Sequence, residues 1–212
     1  MHTFKYIIWD FDGTLFNTYP HIASIITEIM KINFNIDLNR NQVQEWCETS
    51  VRFCFDKLRS DYNINKSEFQ DLFSKKYMVN LESHQTPFPG VKEILTYIQK
   101  KGGKNFIVTH RESFTLFKLL NCYNMEDFFE KAITNEDGFP YKPDPTSFLY
   151  LINEFQIAKE KVLAVGDRKI DIQTANAINI KSCYFSPKGK IYDLADFNIR
   201  NFIELKEILN LQ

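Results

Sequence analysis

The stretch Tyr6-Ile7-Ile8-Trp9-Asp10-Phe11-Asp12-Gly13-Thr14 decides the fold. Four apolar residues run without interruption into two acids, a glycine and a threonine, the pattern of a strand buried on both faces whose C-terminal end opens into a polar loop. Sheets of that kind keep their chemistry at the carboxyl edge. Working outward, similar short runs recur at Asn105-Phe106-Ile107-Val108, Ala132-Ile133, Val162-Leu163-Ala164-Val165 and Ser182-Cys183-Tyr184-Phe185. Helical stripes lie between them: Val91, Ile94, Leu95 and Ile98; Phe114, Phe117 and Leu120; Phe148, Leu151, Ile152 and Phe155. Strand alternating with helix predicts an α/β fold, a doubly wound parallel sheet with a Rossmann-like core. Gly102-Gly103 ends the first helix, Pro145 opens the third, and Ala195 to Leu209 reads as a last short strand and an amphipathic helix.

Between Leu15 and Thr86 the strand signals vanish. Ile22, Ile25, Ile26, Ile29 and Met30, then Val43, Trp46, Cys47, Ser50 and Cys54, then Phe69, Leu72, Phe73 and Tyr77 all recur at helical spacing. The segment reads as a helical insertion, entered through Phe16-Asn17-Thr18-Tyr19 and left through Thr86-Pro87-Phe88-Pro89-Gly90. The expected domains are therefore an α/β core of residues 1–15 and 87–212 and a helical insertion of residues 16–86. Within the insertion, Phe53 and Phe55 lie off the main stripe among Arg52, Lys57 and Arg59, either widening the core face or reading a ligand.

The chain has 212 residues, 44% hydrophobic and 25% charged, with seven Gly and seven Pro, which excludes a disordered or fibrous protein. Its 26 Lys+Arg against 27 Asp+Glu give a net charge of −1, no global reason to expect nucleic acid or an anionic membrane as partner. No apolar run approaches the roughly 18 residues of a membrane span. Cys47, Cys54, Cys122 and Cys183 show no metal-site spacing and read as buried reduced thiols. A cytoplasmic location is expected, and the oligomeric state is not legible.

Asp10 and Asp12 stand at period two at a strand end, where two acids either cap a turn or hold a hard divalent cation such as Mg²⁺. Gly166-Asp167-Arg168-Lys169-Ile170-Asp171 brings two more acids after another apolar strand, as a helix cap or as the rest of a metal cage. Thr109 ends a strand and is followed by His110-Arg111 at a helix start, a place for phosphate. Lys142 lies between Tyr141 and Pro143, either a solvated surface charge or an ammonium whose direction the neighbouring prolines fix.

Taken together, Asp10-Phe11-Asp12-Gly13-Thr14, Thr109, Lys142 and Gly166-Asp167 with Asp171 resemble the four ordered motifs of the haloacid dehalogenase superfamily, across nearly the whole chain. The helical insertion resembles that family's helical cap, in the arrangement of phosphoglycolate phosphatases and β-phosphoglucomutases. The resemblance implies a phosphohydrolase in which Asp10 is the nucleophile that becomes an aspartyl-phosphate and Asp12 the general acid and base. It further implies that Asp10, the Asp12 carbonyl and Asp167 hold Mg²⁺, with Asp171 a ligand through water or a partner behind the direct ligands, while Thr109 and Lys142 bind the transferring phosphoryl group, with Lys142 counted among the catalytic residues.

Asp12 resembles the phosphatase and phosphomutase branches rather than the dehalogenases. The resemblance departs at three positions: His110 stands where many relatives carry Asn, Arg168 where many carry Ser, and Asn17 where relatives often carry Asp. His110 and Arg168 are accordingly candidates for recognising an acidic or hydroxylated leaving group, His110 either contacting phosphate or substrate or facing solvent at a helix start. The expected activity is Mg²⁺-dependent hydrolysis of small phosphorylated metabolites. The alternatives are a phosphomutase of the β-phosphoglucomutase type and a non-catalytic binding protein on the same scaffold.

Overall fold

The computed structural model describes residues 4–79 and 81–210. The chain divides into two compact units, Met1–Phe16 with Pro87–Gln212, and Asn17–Thr86.

The first unit is built on a six-stranded sheet. In chain order its elements are β1 (Tyr6–Trp9), α6 (Val91–Lys100), β4 (Lys104–Val108), α7 (Ser113–Cys122), β5 (Phe129–Ile133), α8 (Thr146–Glu154), β6 (Val162–Gly166), α9 (Lys169–Ala177), β7 (Lys181–Phe185), β8 (Phe197–Ile199) and α10 (Phe202–Asn210). The strands run β5-β4-β1-β6-β7-β8, every recorded pair parallel, which is the predicted doubly wound order. β1 lies in the middle because its run is apolar on both faces. Ile8 packs with Phe106, Val162 and Ala164 towards Phe148, Leu151 and Ala175 of α8 and α9. Its neighbour Trp9 faces the other way, its ring 6.0 Å from Phe202 of α10 and its indole N–H donating to Asn105 Oδ1 at 3.0 Å.

The register sets up the chemistry. Trp9 is paired with Ile107 of β4 and Val165 of β6, so Asp10, Thr109 and Asp167 emerge at neighbouring strand ends. The strand order reverses around β1, and an open α/β sheet leaves a crevice at that point. Gly13, at φ 81°, adopts a left-handed conformation that glycine takes without strain, and its N–H bonds back to the carbonyl of Phe16 at 2.8 Å.

The second unit contains α1 (Tyr19–Phe34), α2 (Arg40–Thr49), α3 (Val51–Tyr62), α4 (Lys66–Tyr77) and the short α5 (Leu81–His84). The two-residue strands β2 (Phe16–Asn17) and β3 (Thr86–Pro87) pair where the chain enters and leaves it. Its core is the predicted stripe Ile22, Ile25, Ile26, Ile29 and Met30 against Val43, Cys47, Cys54, Leu58 and Phe69.

Three sequence expectations change. The stripe from Val43 to Cys54 is not one helix: Ser50 is extended at φ −170° and ψ 152°, ending α2 and capping α3 by accepting the Phe53 N–H at 2.9 Å. In α7 the buried face is Thr115, Leu116, Leu119 and Leu120, while Phe114 is 67% exposed, because the helix starts one residue before it and turns it outward. Cys122 is exposed, whereas the other three free thiols are buried. Phe55 belongs to the core, its ring 5.2 Å from Phe69 and 5.1 Å from Phe73, and Arg52 pairs with Asp56 at the surface.

Candidate active site

The site residues of the first unit are brought together from segments far apart in the chain. Lys142, on the loop after β5, is 1% exposed in its side chain, and its three ammonium hydrogens find three acceptors. Nζ lies 2.5 Å from Asp10 Oδ1, 2.6 Å from Asp171 Oδ1 and 3.0 Å from the Val108 carbonyl. The reading of Lys142 as a solvated charge is therefore excluded. Burial works against its charge, yet the carboxylates of Asp10 and Asp171 outweigh that and hold its pKa above the ordinary lysine value.

Asp10, Asp167 and Asp171 each offer a carboxylate oxygen within 4.8 Å of the others. Their electrostatics differ. Burial raises Asp10, with Lys142 opposing, and burial together with the charge of Asp10 raises Asp167 well above the usual range. In Asp171 burial is outweighed by Lys142 and Arg168, and its pKa is lowered. Both Asp171 oxygens are engaged, Oδ1 by Lys142 and Oδ2 by the Arg168 backbone N–H at 3.0 Å. Gly166 makes this possible: a Cβ there would stand 2.3 Å from the Asp171 Cβ, closer than any side chain tolerates.

A divalent cation fits this donor set. Asp10 Oδ2 is buried and accepts no hydrogen bond among the described residues, and Asp10 belongs to a group of three carboxylates. A buried carboxylate oxygen left in that state costs free energy unless a cation or a proton answers it. Asp167 Oδ1 is held in place by the Thr14 hydroxyl at 2.9 Å.

The two acids at period two part company. Asp12 is not in the carboxylate group; its side chain meets Arg111, whose Nε lies 3.2 Å from Oδ1 and 3.1 Å from Oδ2 and whose Nη2 lies 2.5 Å from Oδ1. Thr109 is buried and its hydroxyl accepts the Arg111 N–H at 3.1 Å. His110 accepts the Lys142 N–H on Nε2 at 3.0 Å, and its ring lies 4.6 Å from that of Tyr141. Burial, then Lys142 and Arg168, push its pKa down to about 3, so the ring is neutral and its hydrogen sits on Nδ1. Arg168 reaches to 3.8 Å from Asp10 Oδ1. Sequence reasoning passed over Arg111; its signal was an arginine at period two after a strand-terminal threonine, indistinguishable in sequence from a solvated helix-start charge.

The family of haloacid dehalogenase-like hydrolases matches residues 7–185. A phosphoglycolate phosphatase of Nitrosococcus oceani is 27% identical over 217 aligned positions, covering 96% of this chain and 96% of its own. Among solved structures, a predicted phosphoglycolate phosphatase from Haemophilus somnus superposes with a TM-score of 0.85 at 24% identity, covering 98% of this chain and 99% of its own. A Thermotoga maritima chain assigned as a β-phosphoglucomutase superposes at 0.79 with 18% identity, covering 98% and 97%.

Proposed function

The chain belongs to the haloacid dehalogenase-like hydrolases, and on that premise we propose that it is a Mg²⁺-dependent phosphatase of small phosphate monoesters. The observation that carries this is the buried Asp10 Oδ2, free of hydrogen bonds among the described residues while Oδ1 is held at 2.5 Å by Lys142. Oδ1 is held by an ammonium and Oδ2 is open to a positive centre, so the carboxylate has the oxygens both to meet a cation and to attack an electrophile.

In the first half-reaction Asp10 attacks phosphorus, the bond from phosphorus to the ester oxygen breaks, and Asp12 donates a proton to that departing oxygen. In the second, Asp12 takes a proton from a water whose oxygen attacks the aspartyl-phosphate. The bond between phosphorus and Asp10 then breaks, inorganic phosphate leaves, and both acids return to their starting states. The positive charge of Lys142, and the strand end at Thr109 with His110, would offset the developing charge on the phosphoryl oxygens.

Asp10 and Asp167 with the Asp12 carbonyl would hold Mg²⁺, which supplies charge neutralisation between carboxylate and phosphate. With both oxygens engaged by Lys142 and the Arg168 N–H, Asp171 would orient Lys142 and would contribute to the metal through a water or from behind the direct ligands. The helical unit is the substrate-selecting cap in this reading, and the substrate a phosphorylated metabolite of the kind phosphoglycolate exemplifies, in the cytoplasm.

The test is phosphate release from a panel of phosphorylated metabolites with and without Mg²⁺, wild type beside Asp10→Asn. Mg²⁺-dependent release abolished by Asp10→Asn is the expected result. Retained turnover in a folded Asp10→Asn protein sinks the nucleophile assignment; turnover only with a bisphosphate activator and without free phosphate marks a mutase.

A further inference from the structure

Arg111 is the least expected member of the site. Its side chain is 4% exposed, that of Asp12 is 23% exposed, and the two come from positions 99 residues apart. A buried guanidinium is retained at a cost in desolvation that only fitted partners offset. Here the partners are well matched: the fork meets both oxygens of Asp12, and the guanidinium carbon lies 5.2 Å from the centre of the Phe11 ring. The backbone of Arg111 is held as well, its N–H by the Thr109 hydroxyl and its carbonyl by the Asn135 N–H at 3.2 Å.

Nη2 donates to Oδ1 at 2.5 Å, and Nε lies between the two oxygens, 3.2 Å from Oδ1 and 3.1 Å from Oδ2. We infer that Arg111 is the positioning residue of Asp12, fixing the plane and direction of its carboxyl at the strand end. Resting on the phosphatase reading, this deepens it: the Asp12 carboxyl gives its proton to the ester oxygen as the phosphorus–oxygen bond breaks, and takes one from the attacking water as the bond between phosphorus and Asp10 breaks. Held by the guanidinium, the carboxyl keeps one orientation through both half-reactions, and one geometry serves both proton transfers.

A residue that acts through the general acid leaves a signature in the leaving group. Alkyl phosphates need a proton on the departing oxygen; p-nitrophenyl phosphate does not, because p-nitrophenolate is stable. The experiment measures kcat/KM with Mg²⁺ for an alkyl phosphate and for p-nitrophenyl phosphate, in wild type, Arg111→Gln, Arg111→Lys and Asp12→Asn, and in the double variant with Arg111→Gln. Thermal melts check that each variant is folded. Arg111→Lys keeps the charge without the fork and serves if Arg111→Gln does not fold.

Expected is a loss on the alkyl ester at least about tenfold greater than on p-nitrophenyl phosphate for either Arg111 variant, with no further loss from Arg111→Gln when Asp12 is already Asn. Added guanidinium should return part of the alkyl-ester activity to Arg111→Ala. Equal losses on both esters, or an undiminished loss in the Asp12→Asn background, would overturn the inference and assign Arg111 to the substrate or to the fold. A wild type inactive on both esters and on the metabolite panel overturns the phosphatase reading, and this inference with it.

Discussion

The two units of the chain treat charge in opposite ways. In the sheet unit Asp10, Thr109, Arg111, Lys142 and Asp171 are buried beyond the carboxyl ends of four adjacent strands, each answered by a partner at hydrogen-bond distance. In the helical unit the core is an apolar stripe, and ion pairs such as Arg52 with Asp56 and Lys57 with Asp61 lie at its surface. Exposed pairs of that kind contribute on the order of 0–1 kcal/mol, whereas breaking a buried pair costs several times that. The buried cluster of carboxylates and cations, the fixed charge geometry that catalysis needs, lies within the sheet unit.

The contrast can be broken by mutation, and the sharpest blow falls on Lys142. Lys142→Met should destabilise the protein by about 3–5 kcal/mol without metal, because Asp10 and Asp171 lose their common cation, and should reduce phosphate release to background. Added Mg²⁺ should raise the melting temperature of this variant more than that of wild type; an equal rise would mean that Lys142 and the metal do not share the carboxylates. Gly166→Ala comes next. Its Cβ must displace Asp171, so a loss of about 1–3 kcal/mol with a larger fall in turnover is expected from melts and kinetics.

A smaller effect attaches to pH. His110 has a pKa of about 3 in the fold against 6.5 when unfolded, so the unfolded chain takes up the proton first. Its stabilising share is whole above pH 6.5 and is lost as pH falls from there towards 3, by at most about 1.4 kcal/mol per pH unit. His110→Asn should flatten the acid limb of stability measured by urea unfolding across that range; an unchanged limb would show that the ring is not held neutral. The least effect is expected in the other unit. Ser50→Ala removes the cap of α3 and should cost about 1 kcal/mol without altering kcat/KM, whereas Arg52→Ala should move neither. A kinetic effect of Arg52→Ala would place ligand contacts in the helical unit and erase the contrast.

Much of this was legible in the chain because the signals are local. A run such as Val162-Leu163-Ala164-Val165 admits little but a buried strand, and the stripe Val91, Ile94, Leu95 and Ile98 little but a helix on a sheet. Phe114 misled because its apolar side chain stands at a helix start, where spacing alone does not say which face is inward. Ser50 misled because a capping hydroxyl interrupts a helix without disturbing its apolar period.

The sequence by itself determined the α/β order, the helical insertion and the set of acids at strand ends, since each follows from side-chain period and backbone preference over a few residues. Only the tertiary structure decided which cation meets which acid. Asp10 and Lys142 are 132 residues apart, Asp12 and Arg111 are 99, and Lys142 and Asp171 are 29. Strand register and a left-handed turn at Gly13 sent the two neighbouring aspartates to different partners. Ion pairing depends on distance in space and on desolvation, and neither is written in the order of residues along a chain.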